Sequence, residues 1–222
     1  MAYRTRIKLC GLTSIDDVQA AVAAGADAIG FVFYPASSRY VAPELAARLL
    51  AVVPPFITTV GLFVNASPQD IAAVVAQAPV SLLQFHGDET LAHCNVAAQL
   101  VNRPFMQAVR VKPNTLPADL LKCDHDNRAA SALFAGLLLD TWIDGYGGGG
   151  KVFDWTLIPE ELASRVVLSG GLNVQNVTDA VVQVRPYAVD VSSGIEHAKG
   201  IKDAGKMRAF INAVHLADTI ST

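Results

Sequence analysis

Cys10 and Asp140 are the residues of this chain best suited to moving a proton. Each closes a short apolar run, Ile7-Lys8-Leu9-Cys10 in one case and Leu137-Leu138-Leu139-Asp140 in the other. A thiolate and a carboxyl group on opposite sides of a ligand form a base–acid pair. A free cysteine titrates near about 8.5, so acting as a base at neutral pH requires a partner. Lys8 shares the face of Cys10 in an extended segment and is a candidate for lowering its pKa. Read alone, Cys10 is also a small buried hydrophobe. Cys94 and Cys123, in or near helical segments, fit that second reading.

A further set of residues could hold an anion. Ser169-Gly170-Gly171-Leu172-Asn173 and Ser192-Ser193-Gly194-Ile195-Glu196 are small-residue turns that each end an apolar run. Glycines let backbone N–H groups approach a phosphate closely. Ordinary glycine turns are the plainer reading of either one; two together, each after a strand, favour phosphate.

These side chains need strands to carry them. Apolar runs at 6–10, 28–33, 58–63, 81–86, 105–111, 136–140, 165–169 and 187–191 predict eight strands. Helical patterns lie between them, at 14–24, 43–52, 68–77, 88–100 and 174–184, with a last helix over 205–217. A more polar stretch predicts two short helical pieces, 116–121 and 128–133. Thr13 or Ser14 can cap the first helix, Gly25 can stop it, and Pro43 suits a first turn. Strands alternating with helices imply a parallel sheet with right-handed crossovers, and eight units favour a closed α/β (β/α)8 barrel in a single domain spanning 1–222. Period-two alternation then turns Lys8 with Cys10, Gln84 with His86, and Asp190 with Ser192 into the barrel. Most of this polar set falls at the C-terminal strand ends, where barrel enzymes keep their chemistry. Lys8 and Asp190, on neighbouring first and last strands, are expected to form a buried ion pair.

Composition narrows the partners. The 222 residues carry 17 Lys+Arg against 20 Asp+Glu with no block of like charge, which does not ask for nucleic acid or an anionic membrane surface. The 52% hydrophobic content suits strands covered on both sides, and residues such as Asp27, Arg39 and Asp70 interrupt each apolar stretch before bilayer length. The N-terminal residues lack the layout of a signal peptide, and three cysteines without metal or redox spacing fit a reducing, cytoplasmic compartment. No extra helix or long loop advertises an interface, so a monomer is the default expectation, with a homodimer open.

Lys8-Leu9-Cys10-Gly11, Ser38-Arg39-Tyr40, Gln84-Phe85-His86-Gly87, Leu139-Asp140-Thr141, Gly150-Lys151-Val152-Phe153-Asp154-Trp155, Leu168-Ser169-Gly170-Gly171-Leu172 and Asp190-Val191-Ser192-Ser193-Gly194 together resemble the phosphoribosylanthranilate isomerases of tryptophan biosynthesis. The matches run in order along essentially the whole chain. The resemblance implies an Amadori rearrangement of a phosphorylated small molecule, with no metal and no organic cofactor. It makes Asp140 the general acid at the ribose ring oxygen and Cys10 the base at C2′. It assigns Arg39 to the anthranilate carboxylate, and Gly171, Ser192, Ser193 and Gly194, together with the adjoining Gly170, to the phosphate. His86 either lines the pocket or is a hydrogen-bonded strand-end histidine. Arg110 could reach the ligand or pair with Asp140 or Asp190, and Asp190 faces the same space. The chain departs from the family at Gly147-Gly148-Gly149-Gly150, where a hydroxyl residue is expected near Gly149; this implies a looser loop over the mouth. Rival readings are another phosphate-binding barrel isomerase that uses paired aspartates, against which the strand-end cysteine speaks, and a non-catalytic phosphosugar-binding protein, against which the retention of both Cys10 and Asp140 speaks.

Overall fold

A computed structural model describes residues 4–142 and 152–220. Eight parallel strands close into a barrel in sequence order: β1 (Arg6–Cys10), β2 (Ala28–Val32), β3 (Thr58–Phe63), β4 (Leu82–Phe85), β5 (Phe105–Val111), β6 (Phe134–Thr141), β7 (Val167–Leu168) and β8 (Ala188–Val191). The helices are α1 (Ile15–Ala24), α2 (Pro43–Leu50), α3 (Pro68–Gln77), α4 (Leu91–Val101), α5 (Pro117–Ala130), α6 (Glu160–Ala163), α7 (Val177–Val184) and α8 (Ala204–Ile220). The barrel expected from the alternation of strand and helix is the barrel observed.

Local chemistry sets the helix ends. Ser14 caps α1, accepting from the Asp17 amide while the Asp17 carboxylate accepts from the Ser14 amide, and Gly25 ends it in the left-handed region. Ser67 and Thr90 cap α3 and α4, each hydroxyl accepting from the amide three residues on. That cap starts α4 at Leu91, later than the sequence pattern suggests, because Glu89 turns back to accept from the Asn65 and Gly87 amides.

Period-two alternation sorts the strand side chains into two cores. Ile7, Leu9, Ile29, Phe31, Leu83, Phe85, Leu137, Leu139 and Val189 face outward into the layer beneath the helices. Phe85, Phe105 and Phe134 join there edge-to-face, with centroids 5.6 and 5.7 Å apart; burying each such side chain is worth about 1.5–3 kcal/mol. Val60, Met106, Leu138, Val167 and Ala188 form a separate inner cluster in the barrel. Leu138 and Asp140, like Ala188 and Asp190, share a strand parity, so the inner layer stands beneath the polar groups. This packed floor fixes the depth of the site.

Three segments differ from the sequence pattern. The polar stretch expected as two helical pieces is one helix, α5. Its middle, Lys122-Cys123-Asp124-His125-Asp126-Asn127, shows no apolar stripe because ion pairs support it instead: Lys122 with Asp126, and Arg128 and Arg165 with Asp124. Only two residues of the seventh apolar run form β7: the Arg165 and Val166 amides are taken by the Leu162 and Ala163 carbonyls of the turn after α6, and Gly170 at φ 84° turns the chain away at the other end. Finally, the chain after β8 makes a small antiparallel hairpin, β9 (Glu196–Ala198) and β10 (Ile201–Lys202), where the sequence reads as plain loop. The expected loop 147–150, and Lys151, lie outside the described residues.

Candidate active site

The C-terminal ends of the strands surround one cavity. Its lining includes Cys10, Arg39, His86, Asp140, Gly170, Gly171, Asp190, Ser192 and Ser193, nine of the residues that sequence singles out. Asp140 on β6 and Cys10 on β1 are separated round the ring by β7 and β8. A ligand spanning the mouth therefore lies between them.

The register Lys8↔Asp190 places those two side chains at one level inside the barrel. Lys8 Nζ donates to Asp190 Oδ1 at 2.6 Å, and Ser169 Oγ donates to Oδ2 at 3.0 Å. The buried ion pair expected from the sequence is present, with both side chains at most 6% exposed. Burial opposes the charge on Lys8, but the charges of Asp190 and Cys10 and their hydrogen bonds outweigh it and raise the lysine above its ordinary value. Lys8 is thus a fixed cation beside the sulfur. Lys8→Met would leave Asp190 buried without its counter-charge; such a loss costs about 3–5 kcal/mol, to be read as a lower midpoint in urea unfolding.

Gly30 on β2 explains how sulfur and ammonium fit together. A Cβ there would stand 2.7 Å from Cys10 Sγ and 3.2 Å from Lys8 Nζ, so any larger residue displaces the thiol. Cys94, by contrast, is pushed up to about 12, mainly by burial, and stays an inert thiol as its helical position suggests.

On the opposite wall Asp140 is held from two sides. The Thr141 amide donates to Oδ1 at 2.8 Å, and His86 Nε2 lies 2.8 Å from Oδ2. Gln84 Nε2 stands 2.8 Å from His86 Nδ1. With the amide nitrogen as donor, Nδ1 is the acceptor, so Nε2 carries the proton and points it at Asp140. Both sequence readings of His86 hold together: it lines the cavity and is hydrogen-bonded. Gly170 lets the loop after β7 close onto this group, since a Cβ there would lie 2.4 Å from Thr141 N and 2.8 Å from Asp140 Oδ1, and its φ of 84° disfavours any side chain.

Two of the residues singled out stand elsewhere. Arg110 forms an ion pair with Asp88, on the loop after β4, and does not line the cavity; in place of the expected Asp140 or Asp190, the exposed carboxylate of that loop takes its charge. Gly194 also lies off the lining. A Cβ there would fall 2.1 Å from the Leu172 carbonyl oxygen, so its bareness lets the two expected phosphate loops lie against each other. Arg39 lines the cavity, but its guanidinium is bidentate to Glu196. Glu196 and Lys202, buried at the mouth, are charged groups that the sequence reading did not single out. Their only sequence signal is charge beside the second small-residue turn. Among the described residues no cluster of three or more His, Cys, Asp or Glu gathers as a metal site would require.

Comparison with known proteins agrees with this geometry. A family model described as N-(5'phosphoribosyl)anthranilate (PRA) isomerase matches residues 7–213. An N-(5'-phosphoribosyl)anthranilate isomerase of Herminiimonas arsenicoxydans is 65% identical over 218 residues, covering 98% of this chain and 96% of the relative. One from Ralstonia nicotianae is 56% identical over 225 residues, with 97% and 95% covered. Among solved structures, phosphoribosyl anthranilate isomerase from Thermotoga maritima superposes with a TM-score of 0.83 at 41% identity, covering 95% of this chain and 98% of that one. A phosphoribosyl anthranilate isomerase in complex with reduced 1-(o-carboxyphenylamino)-1-deoxyribulose 5-phosphate superposes with a TM-score of 0.79 at 38% identity, with the same coverage. With a family model covering nearly the whole chain and a barrel whose mouth gathers a thiol, a carboxylate and two glycine loops, this chain belongs to the N-(5'-phosphoribosyl)anthranilate isomerase family.

Proposed function

We propose that this chain converts N-(5'-phosphoribosyl)anthranilate into 1-(2-carboxyphenylamino)-1-deoxyribulose 5-phosphate. The observation that carries the reading is the placement of Cys10 and Asp140 on one cavity, separated by the strands whose loops carry Gly170, Gly171, Ser192 and Ser193. The phosphate sits on those loops, and the substrate extends toward Arg39. Asp140, reacting as the carboxylic acid, gives its proton to the ribose ring oxygen and is left as the carboxylate that the Thr141 amide and His86 Nε2–H hold; the C1′–O bond breaks, and the nitrogen lone pair forms a protonated imine at C1′. Electron withdrawal by that imine acidifies the neighbouring C–H. Cys10, as thiolate, takes the proton from C2′, and the electron pair moves to make the C1′–C2′ double bond of an enolamine while neutralising the nitrogen. Tautomerisation places a hydrogen on C1′ and leaves the ketone at C2′. No atom is gained or lost. Asp190, filled by Lys8 and Ser169, acts through Lys8, and His86 orients Asp140.

All these groups come from one chain, so the single protomer is the catalytic unit. The three cysteines are unpaired thiols, which suits work in the cytoplasm, and no helix among the described residues is long and apolar enough to cross a membrane. The test is rescue of a tryptophan auxotroph that lacks the isomerase, alongside turnover of the substrate by purified protein. Growth and turnover are expected. A folded protein that gives neither contradicts the reading.

A further inference from the structure

The mouth of the cavity holds a charged cluster that the proton-transfer steps do not use. Arg39 Nε donates to Glu196 Oε1 at 2.6 Å, and Nη2 donates to Oε2 at 2.9 Å. Lys202 Nζ donates to that same Oε1 at 2.9 Å. Its remaining contacts are the Ser192 carbonyl at 2.9 Å and Ser192 Oγ at 3.2 Å. Ser192 Oγ in turn donates to the Cys10 carbonyl at 3.0 Å. The hairpin of β9 and β10 thus ties the arginine to the second phosphate loop and to the backbone of Cys10.

Charge counting gives this cluster a direction. Arg39, Glu196 and Lys202 are each 8% exposed, and two cations share one carboxylate. Within this trio one positive charge is left over where water is scarce, and the charge of Cys10 reaches Lys202 more weakly than that of Glu196; a buried charge without a close partner is costly. Glu196 is well satisfied: burial alone would raise its pKa, yet hydrogen bonds from Arg39 and Lys202 hold it below the ordinary value. Lys202 is the strained member, since burial lowers its pKa by more than Glu196 restores. An anion at this end of the cavity relieves that imbalance. Lys202 spends its three N–H donors within the protein, so it acts by charge and position rather than by contact, whereas Arg39 lines the cavity and keeps Nη1 out of the Glu196 pair.

We propose that Lys202 is a specificity-determining positioning residue: it leaves the Arg39–Glu196–Lys202 cluster one positive charge in excess and so selects ligands that carry a carboxylate at the Arg39 end of the cavity. The proposal rests on the functional reading above, in which the aryl carboxylate of the substrate meets Arg39.

The test uses full-length wild type, Lys202→Met, Lys202→Gln and Lys202→Arg, with two probes measured by calorimetry: the reduced product analogue and its counterpart without the aryl carboxylate. Wild type is expected to favour the carboxylate-bearing probe. In Lys202→Met and Lys202→Gln that preference falls about tenfold, the scale of one charge–charge interaction across roughly 12 Å at an effective dielectric of about 20, while affinity for the carboxylate-free probe falls by less, through the lost hold on Ser192. KM for the substrate rises by a similar factor with kcat nearly unchanged, and Lys202→Arg keeps the wild-type preference. Lys202→Gln retains hydrogen-bond donors and carries the test should Lys202→Met not fold. An unchanged preference in the neutral variants, or an equal loss of affinity for both probes, overturns the proposal. If wild type turns over the substrate and only the preference fails to move, this inference falls alone; if wild type neither turns over the substrate nor binds either probe, the functional reading falls with it.

Discussion

Replacing Cys10 by alanine or serine is expected to lower kcat by roughly 10³-fold or more, within the range of about 10²–10⁴ that a positioned general base supplies. The thiol is almost fully buried, with Lys8 on one side and the bare Gly30 on another. Serine nearly matches cysteine in size, so packing survives while the acidity of the thiol is lost. A structural role would therefore spare Cys10→Ser; a catalytic one would not. Steady-state turnover separates the two, and binding of the reduced product analogue shows that the site remains formed. Substrate deuterated at C2′ adds a second readout. In Cys10→Ser, removal of that hydrogen becomes rate-limiting, so a full primary isotope effect is expected.

Asp140→Asn should cause a loss of comparable size, roughly 10²–10⁴-fold in kcat, by a different route. Asparagine keeps the shape and can still accept the Thr141 amide, but it has no proton to give to the ring oxygen. Its amide also presents a donor toward His86 Nε2, which now points a proton at Asp140, so the imidazole must change tautomer. Ring opening precedes C–H cleavage. The expected signature is therefore a slow enzyme with no C2′ isotope effect, the opposite of Cys10→Ser. A full isotope effect in Asp140→Asn would place Asp140 after ring opening and contradict its assignment.

The legible parts of this protein are those in which local pattern and tertiary position coincide. Strand parity placed Lys8, Cys10, Gln84 and Asp190 in the barrel because a parallel strand between helices and a packed interior has only two faces. The Lys8–Asp190 pair followed from adjacent first and last strands in a closed ring. Helix α5 reads as two pieces for the converse reason: its middle is held by ion pairs to Arg128 and Arg165, and such pairs leave no apolar period. Arg110 has the inward parity of Met106 and Ala108, yet its length lets the head reach Asp88 instead of the cavity. Parity fixes where a side chain starts, and for an arginine that is not where its charge ends. Little in the sequence marks Glu196 and Lys202, because their meaning depends on a hairpin that returns them to Arg39. No spacing along the chain encodes that meeting; a bidentate contact across 157 residues does.

Proton transfer by Cys10 and Asp140 requires particular atoms of the ligand to lie beside each side chain. The most direct measurement is a crystal structure of this protein with reduced 1-(2-carboxyphenylamino)-1-deoxyribulose 5-phosphate. The expected complex has the phosphate on the loops of Gly171 and Ser192-Ser193, the carboxylate at Arg39, Cys10 Sγ against C2′, and the Asp140 carboxyl on the other side of the ligand within hydrogen-bond reach of the oxygen that leaves the ring. A ligand whose C2′ faces away from Cys10, or whose phosphate lies off those two loops, would contradict it.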